Sequence, residues 1–84
     1  MQDLAEDLAS LVDVVVRPLV DNEDDLSITA DVAEDDVIVI EIDVNEEDAG
    51  KVIGRQGRVI KAVRTLTRAA ASRHGASVEV ELID

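Results

Sequence analysis

Two glycines three residues apart, Gly54 and Gly57, cut one helical pattern into a short piece before them and a long piece after them. Glycine reaches backbone angles closed to other residues and has no side chain to hold a neighbour away. The pair therefore predicts a tight four-residue turn, Gly54-Arg55-Gln56-Gly57, that another molecule can approach closely. Because this turn opens a helix, its amides lie at the positive end of the helix dipole, where an anion is favoured.

The charges agree with an anion site. The chain carries 20 acids and 8 bases over 84 residues, a net charge of −12. Residues 1–50 hold seventeen acids and one base, Arg17, whereas residues 51–73 hold seven bases and no acid. On a helix turning about 100° per residue, Lys61, Arg64 and Arg68 share one stripe beside the apolar arc. That arc consists of Val59, Ile60, Val63, Leu66, Thr67, Ala70 and Ala71. A basic ledge beginning at a phosphate-sized turn can follow a nucleic-acid backbone, and Arg55, Arg58 and Lys61 add charge at its start.

Elsewhere the hydrophobic period sets the elements. Leu4, Leu8, Leu11, Val12, Val15 and Leu19 recur at spacings of three and four, which predicts a helix over 3–16. Pro18 lacks an amide hydrogen, so this helix stops or kinks at Arg17, with a last turn reaching Val20. Residues 21–25 read as a solvated acidic connector. Strands are predicted over 26–32 and 37–44, joined by a short acidic loop, and the unbroken apolar run 37–40 predicts cover on both faces at one end. Asn45 caps the next helix, its side chain accepting from the third helical amide, and Glu46, Glu47 and Asp48 complement the dipole. Residues 77–83 alternate as a final strand. The expected order is α-β-β-α-α-β, an α+β fold with a three-stranded sheet and its helices packed on one face.

Composition removes several functions. With no Phe, Trp or Tyr, the chain has no aromatic platform for stacking bases. With no cysteine, it has no disulfide, thiolate nucleophile or thiolate metal site, which fits an intracellular protein. The acidic N-terminus is unlike a secretory signal, and no apolar run approaches the roughly 20 residues of a membrane span, so a cytoplasmic location is expected. Gly50-Lys51 lacks the upstream glycine of a P-loop, and the turn at 54–57 does not follow a strand as a dinucleotide fingerprint requires. Asp21–Asp25 lacks the glycine and distal glutamate of a calcium loop. His74 has no Ser, Cys or carboxylate partner that the sequence can place beside it. No catalytic residue, metal or cofactor is indicated.

The turn gains specificity from its setting: Val52-Ile53-Gly54-x-x-Gly57-x-x-Ile60, flanked by helices within the α-β-β-α-α-β order. Together these resemble a KH domain of type II topology spanning residues 1–84. The segments LVDNEDDLSI, VNEEDAGKVIGRQGRVIKAVRTLTRAAA and VEVELID are similar to the small single-domain bacterial KH proteins of the KhpA type. That resemblance implies binding of single-stranded RNA and a role as an RNA chaperone and post-transcriptional regulator. It further implies pairing with itself or with a larger KhpB-type protein, in control of cell elongation and envelope homeostasis.

Carried onto this chain, the resemblance makes Gly54, Arg55, Gln56 and Gly57 the backbone-gripping loop and lines the groove with Val52, Ile53, Val59, Ile60 and the adjoining strand. Lys51, Arg58 and Lys61 complete the expected RNA-binding set. A KH groove of this kind holds about four unpaired nucleotides. Pro18 and the heavy acidic excess depart from the family pattern, and the acidity lowers the expected affinity. The basic cluster is also compatible with a solvated helix face, or with a partner for the chain's own acidic half. A protein-interaction module, in which the KH surface serves mainly as a homodimer or heterodimer interface, is the other functional reading.

Overall fold

In the computed structural model, which describes residues 1–83, helix α1 (Gln2–Val16) runs into a 3₁₀ turn over Arg17–Leu19. Pro18 sits near the start of that turn, where a missing amide costs little. Arg17 secures the junction through a two-pronged bond to Asp13, one turn back, with both N···O distances 2.9 Å.

Strands β1 (Ser27–Val32) and β2 (Ile38–Asp43) form an antiparallel hairpin, and β3 (Val78–Ile83) joins β2 in parallel to give the order β1-β2-β3. Helix α2 (Glu46–Ile53), the turn Arg55–Gly57 and helix α3 (Arg58–Ser72) make the crossover from β2 to β3. The architecture is the expected α+β type II KH fold, with every predicted element present within two residues of its expected bounds.

The core lies between the helices and one face of the sheet. Ile38, Ile40 and Ile42 of central β2 are fully buried beneath Leu8, Val12, Val52 and Val63. Burying each isoleucine contributes about 2 kcal/mol. Thr67 is also buried, and its hydroxyl donates to the Val63 carbonyl at 2.7 Å, so the aliphatic core closes over it without an unmet polar atom.

The expected double cover of residues 37–40 is not present. Val37 and Val39 are only half-buried, and Val39 lies in register between Asp31 and Glu79. The apolar run reflects one buried row, Ile38 and Ile40, and a row shielded by strand neighbours. Among the described residues no helix covers the second sheet face. Leu66 likewise leaves the predicted apolar arc: it is 53% exposed, because the arc is broader than the surface α3 buries.

Candidate nucleic-acid interface

Helix α2 is anchored before the turn begins. Asn45 caps it by accepting from the second helical amide, Glu47 N, at 2.9 Å, one position earlier than expected. The third amide, Asp48 N, reaches the Asn45 carbonyl instead. Of the three acids assigned to the dipole, Asp48 does something else. It is fully buried, and its carboxylate accepts from Asp21 N at 3.1 Å, Asn22 N at 3.0 Å and Asn22 Nδ2 at 3.1 Å. The acidic connector is therefore tied to α2 rather than merely solvated. The Asp21 amide above all holds the Asp48 carboxyl down to about 2, against burial, which raises it, while Asn22 and Lys51 also lower it.

Lys51 belongs to this anchor. Its ammonium pairs with the Asp21 carboxylate and lies 3.5 Å from Asp48 Oδ1. Its charge is compensated inside the domain, one turn before the glycines.

The turn has two distinct glycines. Gly54 has φ +78° and ψ 171°, and a Cβ there would stand 2.3 Å from Val59 Cγ2 and 2.8 Å from Val59 N. Its glycine requirement is internal, because the chain folds back onto the start of α3. Gly57 has φ +73°, and a Cβ there would meet only Lys61 Cε, at 3.9 Å. The open approach suggested by the sequence thus lies at Gly57. Between them Gln56 also adopts left-handed angles, φ 57° and ψ 26°, which cost about 1 kcal/mol in a non-glycine residue.

Some of the amides expected to face an anion are already engaged. Gly57 N donates to the Gly54 carbonyl at 3.1 Å, and Arg58 N donates to the Arg55 carbonyl. Attraction at the turn thus depends more on side chains than the dipole argument alone suggested. Arg55, Arg58 and Lys61 are exposed and, among the described residues, none has a carboxylate partner. Arg58 Nη2 donates to Gln56 Oε1 at 3.0 Å, which holds that guanidinium beside the turn.

The aliphatic set divides in the same way. Val52 and Ile60 face the core, whereas Ile53, 38% exposed, and half-buried Val59 offer surface at the turn.

A helix–turn–helix of this form in an α-β-β-α-α-β domain matches the family model described as KhpA/KhpB, KH domain, over residues 9–82. The chain belongs to the KhpA/KhpB KH-domain family. It is 41% identical over 76 residues to the RNA-binding protein KhpA of Clostridium perfringens, covering 90% of this chain and all of that protein. It is 39% identical over 77 residues to the RNA-binding protein KhpA of Bacillus subtilis, covering 92% and 94%. The RNA-binding protein KhpA of Caldanaerobacter subterraneus is 42% identical over 76 residues, covering 90% and 100%. No solved structure matches the chain. Among the described residues no cluster is suited to hold a metal ion and no helix is long and apolar enough to cross a membrane.

Sequence reasoning missed two contributors to this region. Asp48, which positions α2, looked like one more acid in Glu46-Glu47-Asp48, although its place four residues before buried Val52 puts it on the inward face. Arg64 was placed on the basic ledge, but its Nε donates to the Val80 carbonyl of β3 at 3.1 Å.

Proposed function

We propose that this chain, as a single KH domain over residues 1–84, binds single-stranded RNA at the Gly54–Gly57 turn. The observation that carries the reading is the open face at Gly57 beside three cations without carboxylate partners, Arg55, Arg58 and Lys61. The named relatives are RNA-binding proteins of the same family, which supports it. Phosphates lie against the turn and these side chains, and bases lie over Ile53 and Val59. Val52 and Ile60 support that floor from the core, and Lys51 supports it through the Asp21–Asp48 anchor. Binding is not enzymatic and uses no cofactor.

With so short a groove, affinity from one domain is low, and pairing two sites raises it through effective concentration. A second copy or a larger KhpB-type KH protein supplies that second site. In that setting the chain acts as a cytoplasmic RNA chaperone and post-transcriptional regulator in cell elongation and envelope homeostasis. The test is RNA binding by wild type and by Arg55→Asp combined with Gln56→Asp. A folded double variant should lose at least about tenfold in affinity, as expected when two like charges face a phosphate. Unchanged affinity would remove the turn from the interface.

A further inference from the structure

The turn accounts for attraction to a backbone and leaves the choice of base open. Arg64 is placed to make that choice. It stands on α3 seven residues past Gly57, about 10 Å along the helix axis, and is half-buried against the sheet. Its Nε donates to Val80 O at 3.1 Å. Val80 belongs to β3, an edge strand of the sheet. The Ser77 carbonyl accepts from Ile38 N of β2. Carbonyls alternate in direction along a strand, so the carbonyl of Val80, three residues on, points away from β2. Arg64 therefore occupies an edge acceptor that no strand uses.

That bond engages Nε alone. The two terminal nitrogens keep four N–H groups, with no acceptor among the described residues. A guanidinium held at Nε presents its end-on fork, two parallel donors in one plane. This fork fits the O6 and N7 acceptors of guanine, the commonest arginine–base pairing. In unpaired RNA that edge is free to be read. The neighbouring cations differ: Arg55 and Lys61 are exposed and untethered, and Arg58 already spends a terminal nitrogen on Gln56. They suit phosphates, whose position along the strand is not base-dependent.

We infer that Arg64 is a specificity-determining residue that selects a guanine in the RNA strand running from the Gly54–Gly57 turn along the seam between α3 and β3. The inference rests on the RNA-binding reading above. The Val80 carbonyl fixes the plane of the fork, and lysine, a point charge without a fork, cannot replace it.

The experiment measures fluorescence anisotropy with labelled eight-nucleotide uridine strands carrying one guanine, adenine or cytosine at each position in turn. Wild type should bind guanine at one position at least about tenfold tighter than adenine there, the size of one bidentate base contact. Arg64→Lys should keep the salt dependence and lose that preference; Arg64→Gln, checked for folding by circular dichroism, should lose it too. Four results overturn the inference: no base preference in wild type, a preference for cytosine, a guanine preference that survives Arg64→Lys, or an equal loss for every strand. Binding that requires Arg55 and Gln56 but ignores base identity removes only the role of Arg64. Failure of wild type to bind any strand, or binding indifferent to Arg55→Asp with Gln56→Asp, removes the RNA-binding reading and this inference with it.

Discussion

Gly54 and Val59 are packed so closely that a methyl group on residue 54 would lie 2.3 Å from Val59 Cγ2. A methyl group on Gly57, three residues on, would meet only the flexible Lys61 side chain, at an ordinary contact distance of 3.9 Å. The two glycines of the turn therefore fail differently when substituted. Gly54→Ala combines a backbone conformation nearly restricted to glycine with a steric overlap, and should cost about 2–5 kcal/mol. Gly57→Ala meets only the left-handed penalty, about 1 kcal/mol. Urea unfolding of both variants checks the order. Adding Val59→Ala to Gly54→Ala should restore only part of the loss, because Val59 Cβ and N, each at 2.8 Å, remain in place.

Asp48 ties the connector after α1 to the start of α2 and should make the domain acid-sensitive in a defined interval. Its folded carboxyl titrates at about 2, below the ordinary 3.8. The folded state thus binds this proton less readily than the unfolded chain. Its contribution is complete above the unfolded value and is lost as pH falls from about 4 toward 2. Asp48→Asn keeps the shape but places an amide against three donors. It should lower the melting temperature at pH 7 by several degrees, and the difference from wild type should narrow at pH 2–3. Thermal melts at a series of pH values measure both.

What could be read from the sequence follows from which interactions are local. The period-two runs of β1 and β3, the spacing of Leu4, Leu8 and Val12 in α1 and that of Val59, Ile60 and Val63 in α3 are set by geometry repeated within each element, so the element order was legible directly. The turn was legible because its glycines lie in Val52-Ile53-Gly54-x-x-Gly57-x-x-Ile60 between two helical patterns of an α-β-β-α-α-β order; the glycine spacing alone does not mark it. The partners of Asp48 and Arg64 were not, since Asp21 and Val80 lie 27 and 16 residues away in the chain. Periodicity places a side chain on a face and cannot say whether its end meets a backbone group across the fold. For the same reason Lys51 was counted among the RNA-binding cations, although Asp21 and Asp48 compensate it.

That compensation separates Lys51 from the other cations in RNA binding. Three uncompensated charges at the turn, Arg55, Arg58 and Lys61, should give a slope of about −2 for log affinity against log salt on single strands. Arg55→Ala should flatten the slope by about 0.7, the value for one phosphate contact. Lys51→Ala should leave the slope unchanged and reduce affinity less than about threefold, while lowering stability through the lost anchor. Titrations at four salt concentrations with an unstructured oligonucleotide distinguish these outcomes.

The face of the sheet away from the helices carries Asp31, Glu41, Asp43, Glu79 and Glu81 and no base. Glu41 and Glu81 stand directly opposite each other across the β2–β3 pairing. Like charges in facing positions oppose pairing, and no cation on that face offsets them. Glu81→Lys replaces this repulsion with an attraction and should stabilise the domain by about 0.5 kcal/mol at low salt. The gain should shrink as salt screens the pair. The same substitution weakens the negative field behind the sheet, so nonspecific retention of duplex RNA should rise while binding at the turn is unchanged. Denaturant unfolding at low and high salt, with filter binding of duplex and single-stranded RNA, tests whether this face confines nucleic acid to the side bearing Gly57.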